Sequence, residues 1–207
     1  HIDERDVEAA LLRHIDGAVE DHLDIGTGTG RLLVLLAQRA KRGVGVDASR
    51  EMLQVARANL DKAGCAQCTV RQGDMYQLPF PPASFDLVTI HQVLHFADAP
   101  DEAIAEAARV LKRGGQLVIV DFAPHGLEEL RSAHAHRRLG FAREEVEGWC
   151  RQAGLEPIAA ELLPGTALAV TVWSARRPLL PAGRAKPRSA AHSPAHAQGH
   201  PTARSVQ

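Results

Sequence analysis

The sequence predicts a doubly wound α/β domain with a mostly parallel sheet, and three observations carry that prediction. The apolar segment Leu23-Asp24-Ile25 runs into the glycine turn Gly26-Thr27-Gly28-Thr29-Gly30, and an apolar-periodic helix leaves it at Arg31-Leu32-Leu33-Val34-Leu35-Leu36-Ala37. Two later strand patterns end in an acidic residue, Val44-Gly45-Val46-Asp47 and Gln72-Gly73-Asp74-Met75. Strand and helix patterns then alternate as far as Phe122, as βαβ units require.

Taken in order, residues Asp3 to Ile15 place Val7, Ala10, Leu11 and Ile15 on one helical stripe, with acids in the first turn. Strand 1 is read at about His22 to Ile25, and the following helix at about Gly30 to Ala40. Strand 2 covers about Gly43 to Val46. The next helix starts after Ser49, a natural N-cap, and stops at Gly64. Strand 3 is Thr69 to Gln72, and the prolines at 79, 81 and 82 break the connection after it. Strand 4, Phe85 to Ile90, is nearly all apolar, as a parallel strand covered on both faces should be. Pro100 opens a helix that runs Glu102 to Leu111, and strand 5 is Gln116 to Phe122. Two helical segments follow near Gly126–His136 and Ala142–Ala153. The runs Leu155–Leu163 and Leu168–Ala175 flank Pro164-Gly165 and read as a hairpin.

A glycine turn between strand and helix lets the backbone turn tightly and approach a nucleotide with no Cβ in the way. Dinucleotide sites read G-x-G-x-x-G, and the third glycine of that pattern would fall on Arg31, so the match to a pyrophosphate cradle is poor. Asp47 stands where a carboxylate accepts hydrogen bonds from ribose hydroxyls. Asp74, with apolar Met75 beside it, suits an adenine amino group and ring face.

The order D-x-G-x-G-x-G, V-D, G-D-M, then Phe85-Asp86-Leu87-Val88 and Leu111-Lys112-Arg113-Gly114-Gly115, resembles the class I S-adenosylmethionine-dependent methyltransferases. The likeness runs from about Asp21 to Trp173. It implies a Rossmann-like sheet of seven strands in which the C-terminal hairpin supplies one antiparallel strand. It also implies S-adenosylmethionine as cofactor, with Asp24 and the loop Gly26, Thr27, Gly28 and Gly30 facing the methionine moiety. Asp47 and Ala48 would lie at the ribose, Asp74 and Met75 at the adenine, and His91 at the cofactor's edge. Asp121-Phe122-Ala123-Pro124-His125 and His134 to Phe141 look like a narrower group, methyltransferase domains fused behind ArsR-type winged-helix regulators. No winged-helix pattern lies in this sequence, which begins at His1. It is therefore read as the catalytic half of such a fusion, or a chain trimmed to it, with a DNA-binding module expected upstream. The alternative activity is sensing of S-adenosylmethionine or its product for a regulator, without turnover.

The chain of 207 residues is long enough for one such domain, expected over 1–176 with residues 1–20 as a helical lead-in, and its 45% hydrophobic content is ordinary. A net charge of −1 favours a small-molecule substrate over a nucleic acid or membrane surface, and a homodimer is compatible with it. No apolar run reaches the ~20 residues of a membrane span. Asp3-Glu4-Arg5-Asp6 is too charged for a secretory signal, and three cysteines suit a reducing compartment, so cytoplasm is expected. Residues 177–207 are rich in Pro, Ala, Arg, Ser, His and Gly, and are expected to form a disordered tail because they have little to bury.

His91-Gln92-Val93-Leu94-His95 has two histidines four apart, yet Gln92 replaces the glutamate of a zinc-protease helix, and the segment continues a strand. No metal is expected. His91 just past strand 4 is a candidate base, or a histidine bonded to a neighbouring loop; His125 is the second candidate. His134 and His136, with Arg137 and Arg138, are substrate contacts or a solvated basic helix. The acceptor site is expected at the carboxyl edge of strands 4 and 5, lined by His91, His95, Asp121 and His125 and covered by Gly126–Phe141. Cys65 and Cys68 lack a second pair and are read as packing residues. Asp86 falls on the opposite edge and is read as structural.

Overall fold

The computed structural model describes residues 3–133 and 136–179. A single sheet of seven strands has the order β3-β2-β1-β4-β5-β7-β6. The strands are β1 Val19–Ile25, β2 Ala40–Asp47, β3 Cys68–Gln72, β4 Phe85–His91, β5 Leu111–Phe122, β6 Glu156–Leu163 and β7 Val170–Arg176. β1 to β5 run parallel, while β7 is antiparallel to β5 and to β6. The antiparallel strand comes from the C-terminal hairpin, as the sequence predicts. β1 and β4 are the neighbours at which the winding reverses, so the crevice outside their carboxyl ends is where a ligand belongs.

The helices are α1 Glu4–Arg13, α2 Arg31–Leu36, α3 Arg50–Lys62, α4 Pro100–Val110, α5 Glu129–Ala133 and α6 Arg143–Gln152. Asp3 caps α1 through the Arg5 N–H, and Ser49 caps α3 through the Met52 N–H. Gly64 follows α3 at φ 66°, the left-handed stop its position predicts. One face of the sheet packs on α4 and α6 through Ala103, Ile104, Ala107, Val146 and Cys150. On the other, Val7, Leu11, Leu32 and Leu36 of α1 and α2 meet Leu87, Val118, Val120 and Val172. Burying each large aliphatic side chain in such a layer contributes ~1.5–3 kcal/mol relative to exposure.

Three elements differ from the sequence reading. α2 ends at Leu36 because β2 begins at Ala40, where it pairs with Val19. β5 begins at Leu111, which pairs with Phe85 across an irregular stretch before regular pairing resumes at Gln116. Among the described residues of the Gly126–His136 segment, the helix covers Glu129–Ala133.

Arg177, read as the first residue of the tail, is instead bound to the domain. Its backbone N–H donates to Gly115 O, and its guanidinium donates to the carbonyls of Ala108, Arg109 and Leu111 at the end of α4. A cation there also offsets the helix's negative end. The tail from residue 180 onward, and His134, lie outside the described residues.

Asp86 is structural, as expected. Its Oδ2 accepts from the Asp21 N–H at 2.9 Å and from Lys112 Nζ at 3.0 Å. Cys65 and Cys68 are buried with Leu33 and Leu60, in a packing role. Trp173 is core, and Trp149 meets Phe141 edge to face at 5.8 Å. No helix among the described residues is long and apolar enough to cross a membrane.

Candidate cofactor and acceptor site

A cleft of about 520 Å³ opens at the carboxyl ends of β1, β2 and β4. Its walls hold most of the residues singled out from the sequence: Asp24, Gly26, Thr27, Gly28, Asp47, Ala48, Asp74, Met75 and His91. Gly30 does not line it. That glycine caps α2 at φ 77°, and a Cβ there would stand 3.2 Å from the Ala56 Cβ, so it serves the packing of α2 on α3.

The loop's shape follows from its glycines. Gly26 and Gly28 adopt φ 69° and 52°, a region unfavourable to a residue with a Cβ. At Gly28 nothing stands within 4 Å of an added Cβ, so its face opens on the cleft. The Gly28 N–H donates to Asp47 Oδ2 at 2.8 Å, and the Ser49 N–H donates to Oδ1 at 2.8 Å. Two backbone donors therefore hold the Asp47 carboxylate in place, each oxygen keeping lone pairs for a ligand hydroxyl. Asp74 Oδ1 accepts from the Tyr76 N–H at 2.9 Å, which fixes the turn that brings Met75 to the cleft.

Asp24 lies at the floor, 3% exposed. Burial pushes its carboxyl up to about 6, against the Thr89 hydrogen bond that favours the charged form. The Thr27 hydroxyl packs over Gly45, where an added Cβ would stand 2.6 Å from its oxygen. A buried carboxylate is costly unless a cation answers it.

His91 lines the cleft at the end of β4, where burial pushes it down to about 4 although nearby Asp121 acts in the other direction. Gln92, next in the chain, also lines the cleft and sits at φ 53°. Its N–H is held by Val120 O at 2.7 Å. The sequence reading treated Gln92 only as a missing glutamate, because a left-handed backbone at a non-glycine residue leaves no signature in composition.

The remaining acceptor candidates sit behind this wall. His95 Nδ1 bonds to Asp121 Oδ1 at 2.8 Å, with 3% and 0% of the side chains exposed. The His95 ring packs on Phe96 at 4.0 Å and His136 at 4.2 Å. His125 meets Phe122 edge to face at 5.9 Å, and burial lowers its basicity. Residues 136–141 close over this group: the Arg137 and Arg138 N–H groups donate to His95 O, and the Phe141 N–H donates to Phe122 O. The structure thus brings His91 to the cleft and keeps His95, Asp121 and His125 in a supporting layer, with Phe96 the link between them. Phe96 lines the mouth and is 45% exposed. α1 adds Glu4, Val7 and Glu8 to the cleft; Arg31 beside them bonds to Glu4 and, at 2.6 Å, to Glu8. No cluster able to hold a metal ion occurs among the described residues.

Residues 23–119 match the family model described as Methyltransferase domain. A phosphatidylethanolamine N-methyltransferase of Cereibacter sphaeroides is 30% identical over 149 residues, 72% of this chain and 71% of that protein.

The chain belongs to the class I S-adenosylmethionine-dependent methyltransferases.

The fold recurs in other solved structures. Geranyl diphosphate C-methyltransferase from Streptomyces coelicolor A3(2), solved with Mg²⁺, geranyl diphosphate and S-adenosyl-L-homocysteine, has a TM-score of 0.74 at 16% identity. The match covers 84% of this chain and 77% of that one. The [4+2]-cyclase SpnF matches with a TM-score of 0.73 at 21% identity, over 84% of this chain and 80% of that one. A shared methyltransferase fold therefore does not by itself define a reaction. The chain spans about two fifths of the length of the first curated relatives it matches, 41% and 43%. S-adenosylmethionine is the cofactor, and an open glycine loop beside a tethered carboxylate fits it.

Proposed function

We propose that this domain transfers the methyl group of S-adenosylmethionine to a small-molecule acceptor that enters past Phe96 and meets His91. One observation carries the reading: Asp24, the glycine loop, Asp47, Asp74 and Met75 share a single cleft with His91, Gln92 and Phe96. In it, Asp47 receives the ribose hydroxyls, Asp74 and Met75 flank the adenine, and Asp24 answers the ammonium of the methionine moiety. When bound, the cofactor supplies a sulfonium methyl group open to in-line displacement. The residues at the mouth then need only orient an acceptor and exclude water, and such alignment contributes several kcal/mol.

His91 is kept neutral by its burial. As a neutral imidazole it accepts the acceptor's proton if the nucleophile is not already ionised. The His95–Asp121 pair and His125 hold the wall from behind. The half-exposed Phe96 ring and Val93 favour an acceptor with an apolar body and one ionisable group.

The resemblance to ArsR-type fusions supports a winged-helix module upstream in the full-length protein, and is compatible with a homodimer. The three free cysteines support a cytoplasmic location. A net charge of −1 supports a small acceptor over nucleic acid. Incubating the protein with tritium-methyl cofactor and a small-molecule cell extract tests turnover. Labelled product that disappears in a His91→Ala variant supports the proposal, whereas a pure sensor of cofactor occupancy labels nothing.

A further inference from the structure

Beneath the glycine loop, His22, Thr89 and Asp24 form a chain of buried polar side chains. The parallel register of β1 and β4 sets Asp24 beside Thr89, and His22, two residues before Asp24, points to the same side of the sheet. His22 Nε2 stands 2.8 Å from Thr89 Oγ1, and Thr89 Oγ1 stands 2.7 Å from Asp24 Oδ1. Their exposures are 1%, 0% and 3%.

The proton positions follow from what each group can do. A hydroxyl has one proton, and an ionised carboxylate only accepts, so Thr89 donates to Asp24 and must accept from His22. His22 therefore carries its proton on Nε2. It serves as a donor in the neutral form, which its burial also favours. Threonine at 89 is stiff at χ1, which fixes Oγ1 between its two partners, and the His22 donor leaves the hydroxyl proton turned to Asp24.

We infer that His22 and Thr89 are positioning residues that hold the Asp24 carboxylate at the cleft floor for the α-ammonium of the cofactor's amino acid. They give the domain its preference for cofactors that carry that group. This inference rests on the cofactor reading above. Neither residue touches the cofactor; both act through Asp24, which lines the cleft. A valine at 89 keeps the shape and removes the hydroxyl, so Asp24 loses its donor and its fixed orientation.

Titration calorimetry with two ligands tests this. S-adenosylhomocysteine carries the amino acid, and 5′-methylthioadenosine keeps the adenosine and sulfur without it. Thr89→Val should weaken S-adenosylhomocysteine by about 10- to 100-fold, the range for a hydrogen bond to a charged group, and leave methylthioadenosine within about twofold. Thr89→Ser should restore the preference. His22→Gln retains an N–H donor and should lie between wild type and Thr89→Val; it also carries the test if the valine variant does not fold. Equal loss of both ligands in a folded variant would mean a merely structural role and overturn the inference, as would unchanged S-adenosylhomocysteine binding. If the wild-type protein binds neither ligand, the cofactor reading fails first, and the inference fails with it.

Discussion

Gly26 and Val93 meet where the loops after β1 and β4 come together: a Cβ added to Gly26 would stand 2.3 Å from Val93 Cγ2. That contact joins the cofactor loop to the wall carrying His91 and Gln92, so the two halves of the cleft are packed on each other. Gly26→Ala should cost about 2 kcal/mol or more, from the left-handed backbone and the collision together, and should weaken cofactor binding. Val93→Ala in the same chain removes the two methyl clashes, at 2.3 and 2.7 Å, keeps the Cβ contact at 3.0 Å, and should recover part of the stability. Urea unfolding of the two variants checks this; full stability in Gly26→Ala alone would contradict it.

Asp24 predicts opposite effects on stability and on binding. Its carboxyl sits near 6 in the folded chain against an ordinary value of 3.8, so the folded state binds more protons between those values. This group's contribution therefore grows as pH falls from 7 towards 4, and near neutrality its burial as an anion costs on the order of 2–3 kcal/mol. Asn keeps an acceptor for Thr89 without the charge. Asp24→Asn should raise stability by about 2 kcal/mol at pH 7.5, with the gain shrinking towards zero by pH 4.5. It should also weaken S-adenosylhomocysteine. Denaturant titrations at both pH values read the first effect; a variant less stable at pH 7.5 would refute it.

An unperturbed histidine base would put a limb of the pH–rate profile at roughly 6–7. Burial moves His91 to about 4. Its neutral form then persists through the physiological range, and turnover limited by this group should rise through about pH 4 and stay flat from 6 to 8. His91→Ala should reduce turnover about 10²–10⁴-fold if it is the base, with cofactor affinity nearly unchanged. Wild-type turnover in that variant removes it from the mechanism.

Much of this site was legible because its signals are local. A glycine turn after an apolar strand, and a carboxylate at each of two later strand ends, are each read within a few residues of their own strand, and Asp24, Asp47 and Asp74 all reach the cleft. The relay from His22 through Thr89 was not legible, since it requires the register that sets Asp24 beside Thr89, 65 residues apart. Arg177 escaped for a similar reason: its carbonyl partners lie at the end of α4, and composition alone assigned it to the tail. His95 and Asp121 were placed at the acceptor because both stand at the right sheet edge. Their mutual bond and the 136–141 segment turn them into the layer behind.

The Ser49 cap gives a control away from the cleft. Ser49→Ala removes the acceptor for the Met52 N–H and should cost about 1 kcal/mol. Because the Ser49 N–H that holds Asp47 is backbone and remains, cofactor affinity should change little. Thermal unfolding with and without S-adenosylhomocysteine separates the two; a large loss of the ligand-induced shift would contradict it.

Titration calorimetry of the wild-type chain and Asp47→Ala with S-adenosylmethionine, S-adenosylhomocysteine and NAD tests the central claim most directly. The first two should bind and NAD should give no response. Asp47→Ala should lose about 1–3 kcal/mol, as a charged acceptor leaves its ribose partners. Micromolar NAD binding with no response to the other two ligands would contradict it.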